Sequence, residues 1–138
     1  MLKISEKFKV LNLLASTYIT ADLNGDGVSV EEFEDDALVI LSSGLIASTN
    51  VTFAVNVQAS TVVGGIYSTI GSFTTLGPTD DYKVGAIPVS LKGDNKFVRL
   101  QVDAILGTVG VTVDAILGAT ILVRPRVAEA GINSPTVA

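Results

Sequence analysis

The chain contains no cysteine, no histidine and no tryptophan. Without cysteine there can be neither a disulfide framework nor a thiolate metal site, and without histidine the commonest general base and the usual zinc ligand are both missing. No Lys or Arg occurs between Val10 and Tyr82, and only 17 % of residues are charged. The net charge of −5, with basic residues confined to the start, to Lys83–Arg99 and to the end, argues against a nucleic-acid surface, which would present a basic stripe. Catalytic patterns are missing too. Ser and Thr abound, yet there is no Gly-x-Ser-x-Gly elbow and no Ser-x-x-Lys, and Gly64-Gly65 and Gly107 to Gly110 lack the spacing and following helix of a phosphate loop. These absences point away from an enzyme.

What is present suits a single domain. A chain of 138 residues buries roughly two thirds of the surface it exposes when unfolded. Its mean hydropathy of +0.54 is high for a soluble monomer, so part of the apolar surface is expected to meet another chain. Val10 to Ala15, behind three lysines, imitates a signal peptide but is short and interrupted by Asn12, so the start reads as mature protein. Ala104 to Val123 carries one charge, Asp114, over a length near that of a membrane span. Its Val, Thr and Gly content and its period of two favour strands, and no membrane partner is expected.

Period-two patterning dominates the chain. Leu2 to Val10 alternates apolar and polar residues as an extended arm or strand, and Ser16 to Ala21 reads as a short strand. Ala37 to Leu41 is a continuous apolar run that suits a strand buried on both faces. A helix over Phe33, Ala37 and Ile40 is the alternative, started by the capping-box pair Ser29 and Glu32. Val51 to Val57 alternates cleanly. Further strands are expected at Ile66–Phe73, at Tyr82–Leu91 with Pro88 marking an edge, and at Phe97–Leu106 with Val98, Leu100, Val102, Ala104 and Leu106 inward.

Val102-Asp-Ala-Ile-Leu-Gly107 recurs as Val113-Asp-Ala-Ile-Leu-Gly118. One echo is too short to define a repeat architecture, but a single parity runs from Val109 to Val123 and predicts one more strand. Gly107, Gly110 and Gly118 mark turns or bulges. The fold expected is an all-β antiparallel sandwich, jelly-roll rather than immunoglobulin-like. It divides into an N-terminal arm or edge strand, residues 1–15, a sandwich, residues 16–127, and a tail, residues 128–138.

Three features are candidate sites. Asp22 to Asp36 concentrates seven of the fourteen carboxylates. Within it Asp22, Asn24, Asp26 and Gly27 hold positions 1, 3, 5 and 6 of an EF-hand-type loop and also resemble the start of a dockerin loop. The closing Glu32 falls one residue early, so a tight acidic turn through Asn24-Gly25 and Asp26-Gly27 is preferred, with calcium as the alternative cofactor. The adjacent carboxylates Glu31, Glu32, Glu34, Asp35 and Asp36 do not by themselves give the spaced pair of a glycosidase. Ile105 and Ile116 each fall on a face that also carries an Asp. Either both faces of these strands are covered, or the two isoleucines belong to a subunit interface.

The order of features resembles small tailed-bacteriophage virion proteins of the capsid decoration, or head-stabilising, type. The residues that carry the resemblance are Ala21-Asp-Leu-Asn-Gly-Asp-Gly-Val28, Ala37 to Ile40 ending at Gly44, Val55-Asn-Val-Gln58 with Ser60, Tyr67 and Ile70, Phe97-Val-Arg-Leu100, and Thr120-Ile-Leu-Val123. Val62-Val63 departs from the polar turn usual ahead of Gly64-Gly65. The resemblance implies a non-enzymatic protein on the capsid surface, a homotrimer that cements the major capsid protein, with Lys3, Lys7 and Lys9 as a candidate capsid contact. Many weak contacts repeated over a symmetric shell would then act together. The competing reading is a calcium-assisted carbohydrate-binding or adhesin-like module, for which Tyr18, Tyr67 and Tyr82 are the available aromatic platforms.

Overall fold

Val51 to Ser60 shows most directly how this sequence becomes a structure. Val51, Phe53, Val55 and Val57 have no solvent exposure, while Thr52, Ala54, Asn56 and Gln58 between them are half-buried on the other face. A pleated strand sends successive side chains to opposite sides, so the pattern fixes which face meets the core. The computed structural model describes residues 8–93, 95–108 and 110–125. Lys3, Lys7, Val109 and the tail expected at 128–138 lie outside them.

Among the described residues nine strands follow in order: β1 (Lys9–Ile19), β2 (Leu23–Asn24), β3 (Val28–Ser29), β4 (Asp36–Ile46), β5 (Val51–Ser60), β6 (Ser68–Ser72), β7 (Val84–Ser90), β8 (Phe97–Leu106) and β9 (Ala115–Val123). One sheet has the order β1-β9-β4-β7; the other has β2-β8-β5-β6, with β3 also paired to β8. Every pairing is antiparallel. The fold is thus the all-β sandwich that the alternation predicts. A single core between the sheets joins Val39, Leu117 and Ile121 of the first to Phe53, Val57 and Leu100 of the second.

Loops are tied to strands by buried hydroxyls. Ser43 Oγ donates to the Asp80 carbonyl at 2.7 Å and accepts from the Lys83 N–H at 2.8 Å. Ser48 Oγ donates to the Asp114 carbonyl at 2.9 Å. Each closes backbone groups that a loop packed on the sandwich end would otherwise leave unpaired.

Several local expectations change. The segment 33–40 is not a helix: β4 is extended from Asp36, and the capping-box pair Ser29 and Glu32 starts nothing. Only one face of its apolar run is buried, because Leu38 and Ile40 stay half-exposed on the outside. Leu106, expected inward, is 49 % exposed, since it forms the last β5–β8 pair, with Val51, where the sheet ends. Val111 and Val113 precede β9 rather than belonging to it. β1 pairs with β9 from Lys9 to Ile19, with register shifts between Asn12 and Leu14 and between Leu14 and Thr17, and so spans the position where the arm or edge strand and the sandwich were divided. Pro88 lies in β7, an edge strand, where its missing N–H costs no ladder bond.

Candidate functional site

The calcium-like half of the acidic stretch carries two short strands, while residues 30–35 connect β3 to β4 without forming a strand. β2 pairs Leu23 with Val102 and Asn24 with Gln101, and β3 pairs Val28 with Val98 and Ser29 with Phe97. Gly25, Asp26 and Gly27 therefore face only Arg99 and Leu100, which is a one-residue bulge in a single edge strand running along β8. The chain here continues along β8 and does not turn back on itself. Gly27, expected to bend a calcium loop, instead makes room for Tyr67: a Cβ there would lie 2.2 Å from the Tyr67 hydroxyl.

The candidate ligands are dispersed in role. Asp22 Oδ1 accepts the Ala104 N–H at 2.8 Å and so pins the start of β2 to β8. Asn24, Asp26 and Glu32 are exposed, and no group of three Asp or Glu fit to hold a metal occurs among the described residues. Asp22→Ala is expected to cost about 1 kcal/mol, the value of one such hydrogen bond, whereas Asp26→Ala should stay within about 0.5 kcal/mol. Urea unfolding measures both. Equal losses, or a midpoint that climbs when calcium replaces EDTA, would return the loop to the calcium reading.

The two outer faces of the sandwich differ in kind. On the β2-β8-β5-β6 sheet, polar side chains bond to one another across the strands. Ser72 Oγ donates to Asn56 Oδ1 at 2.7 Å, Asn56 Nδ2 to Gln101 Oε1 at 2.8 Å, and Gln101 Nε2 to Asp103 Oδ1. Arg99 Nε donates to Gln58 Oε1 at 2.9 Å, and its guanidinium stacks 4.1 Å from the centre of the Tyr67 ring. This stacking sets Tyr67 into the sheet surface, held also by its hydroxyl bond to the Val63 carbonyl at 2.8 Å. The face has largely satisfied its own donors and acceptors.

The opposite face has few to satisfy. On the β1-β9-β4-β7 sheet the outward residues form rows across the strands. Val10, Leu122, Leu38 and Pro88 make one row; Asn12, Thr120, Ile40 and Ala86 make the next. Gly118, Ser42 and Val84 follow, and Tyr18 beside Ile116 ends the face, where Gly44 lies against Ile116 and accepts the Tyr82 N–H. Not one of these side chains is charged. Val10 is 62 % exposed, Tyr18 69 % and Val84 72 %, and the charges begin in the end row, at Asp36 opposite Ser90 and at the neighbouring Arg124–Glu34 pair, 3.5 Å apart. An uncharged apolar centre with a charged rim is the anatomy of a protein interface.

Ile105 and Ile116 do not share a patch. Ile116 belongs to the apolar face, half-buried beside Tyr18. Ile105 lies on the other sheet, opposite Thr52 and at the edge of the polar ladder. Lys9, the one described member of the basic trio, is exposed at the start of β1 and pairs with Val123. Sequence reasoning missed Val10, Leu38, Ile40, Val84 and Leu122 as surface residues. The available signal was the unbroken apolar run of β4, which puts apolar side chains on both faces although only one of them packs into the core.

Where the β6 and β7 edges meet, a pocket of about 200 Å³ opens between Leu41, Phe73, Leu76 and Ile87. Lys83 is the one titratable group of its lining, so no acid–base pair converges there. No protein-family description matches the chain, and no curated protein matches it. Among solved structures the chain is similar to the SPBc2 prophage-derived protein YomS, at 15 % identity over 83 % of this chain and 92 % of that one, with a TM-score of 0.48.

Proposed function

We propose that this chain is a non-enzymatic structural protein of a tailed-phage virion, a capsid decoration protein that assembles as a homotrimer and cements the major capsid protein at the capsid surface. The observation that carries the proposal is the uncharged apolar outer face of the β1-β9-β4-β7 sheet, a broad, flat surface built on rigid strands rather than on loops. Such a surface suits attachment to other protein. The strand order supports the jelly-roll part of the reading. With β2 and β3 counted as one bulged strand, successive strands cross between the sheets at every step except β5 to β6. An immunoglobulin-like sandwich would keep more neighbours in one sheet.

On this reading the basic N-terminal segment touches the shell. Phe8 packs under Arg124, and Lys9 already belongs to β1, so a clean truncation removes residues 1–7, with Lys3 and Lys7, and leaves the sheet intact. The truncated protein is expected to keep its melting temperature and to bind undecorated phage heads at least tenfold more weakly, measured by co-sedimentation. Full-length protein that fails to bind such heads at micromolar concentration overturns the proposed function. Unchanged binding after truncation removes the arm from it.

A further inference from the structure

We infer that the outer face of the β1-β9-β4-β7 sheet is where copies of this chain meet one another. The inference rests on the reading of the protein as an assembling structural component, and it names the surface and the occupant. Size comes first. Nine residues of β9 at about 3.4 Å each, and four strands about 4.8 Å apart, give a face of roughly 30 Å by 19 Å, or about 550 Å² in projection. Two copies contributing that much pass the roughly 1,000 Å² at which an interface becomes specific and stable.

Charge then selects the occupant. Each copy carries −5, so two copies repel wherever their acidic surfaces come close. The acidic residues of the 22–36 stretch lie along the bulged edge strand of the other sheet and in the loop before β4, with Asp36 alone in the end row of this face. The apolar face is the broad surface over which like-charged copies can approach without placing charge against charge. A strongly basic partner would find nothing on it to pair with. The other outer face is a poorer candidate, because its amides and Arg99 already bond to one another and burying them would strip water from satisfied groups. Glycine and serine at Gly44, Gly118 and Ser42 keep the middle of the face low, so a neighbouring backbone can come close.

The test uses light scattering after size exclusion. Wild-type protein at about 100 µM is expected to show a multiple of 14.3 kDa, two-fold if whole faces pair with each other and three-fold if each face is divided between two neighbours. Ile40→Lys, in the centre of the face, should fall to 14.3 kDa. Ala86→Lys, on the exposed edge strand and tolerant of a long side chain, serves as a second variant should Ile40→Lys fail to fold, and should also be monomeric. Thr52→Lys, on the polar face, should keep the wild-type mass. A monomeric wild type, or folded Ile40→Lys and Ala86→Lys that both keep the wild-type mass, overturns the inference. A monomer that binds phage heads through this face, losing that binding in Ile40→Lys, also overturns it, and leaves capsid decoration standing without the homotrimer. An oligomer dispersed by both variants, but indifferent to heads, supports the inference and sinks the function.

Discussion

Phe53→Ala is expected to lower stability by about 3–5 kcal/mol and the melting temperature by roughly 10–20 °C. Among the described residues Phe53 is the largest side chain with no exposure at all, and it is the third residue of β5, the most deeply buried strand of its sheet. Its backbone is held on both sides. Ala104 of β8 is its cross-strand partner, and its N–H and carbonyl exchange bonds of 2.8 and 3.0 Å with Leu76. The main chain therefore cannot move in to fill the space a truncated ring leaves, and the small Ala104 side chain cannot reach across it. Phe73→Ala removes an equal ring from the half-buried rim and should cost less than half as much. Equilibrium urea unfolding of both variants, at matched protein concentration so that assembly contributes equally, gives the comparison. Equal losses would mean that the core is not centred on β5.

The same residue shows why part of this fold was legible in the sequence. Phe53 lies in a stretch where the chain alternates without a breach, and period two alone assigns its face. β8 is equally readable through Val98, Leu100 and Val102, all without exposure. Residues 22–29 resisted because neither β2 nor β3 is long enough to carry a period. Their register is imposed by β8, some seventy residues away, and turn-forming Asn-Gly and Asp-Gly pairs are used there to make a bulge. Local turn chemistry was read correctly as a break in regular pairing and wrongly as a reversal of direction. The apolar face was harder for another reason. Leu38 and Ile40 are as hydrophobic as any core residue, and what distinguishes them is which sheet face they fall on and what lies above it. Neither is a property of β4 alone. The residues first chosen to carry the expected contact with another chain, Ile105 and Ile116, fall on different sheets.

Asymmetry between the two outer faces ties these points together. A sandwich whose function were confined to loops would have little reason to differ between its faces. Here one face carries a cross-strand ladder from Ser72 through Asn56 and Gln101 to Asp103, and the other carries rows with no charge at all. The first keeps a broad β-surface soluble by presenting polar groups whose geometry is already fixed. The second leaves apolar side chains such as Val10, Tyr18 and Val84 exposed.

The echoed hexapeptide gives the second large effect. Val102–Gly107 and Val113–Gly118 are identical in sequence, so a local account predicts that alanine at Gly107 and at Gly118 should behave alike. The structure predicts otherwise. Gly107 ends β8 pressed against Asn50: its N–H bonds the Asn50 carbonyl at 2.8 Å, and an added Cβ would lie 2.9 Å from that same oxygen and 2.5 Å from Asn50 Oδ1. Asn50 is itself held at φ 59° by the tight connection from β4 to β5, and its side chain bonds Thr108, so the neighbour cannot give way cheaply. Gly118 lies inside β9 opposite the irregular stretch of β1, where an added Cβ meets Ser16 Cα at 3.4 Å, an ordinary contact. Gly107→Ala is expected to cost about 1–3 kcal/mol by overpacking, and Gly118→Ala to stay within about 0.5 kcal/mol. Asn50→Gly tests the cause. It removes two of the three clashing atoms and relieves the left-handed backbone, so the double variant Asn50→Gly/Gly107→Ala should recover part of the loss, giving a coupling of at least about 0.5 kcal/mol in a double-mutant cycle. If Gly118→Ala proves as damaging as Gly107→Ala, or if the two substitutions at 50 and 107 simply add, the different packing of these two identical segments is wrong.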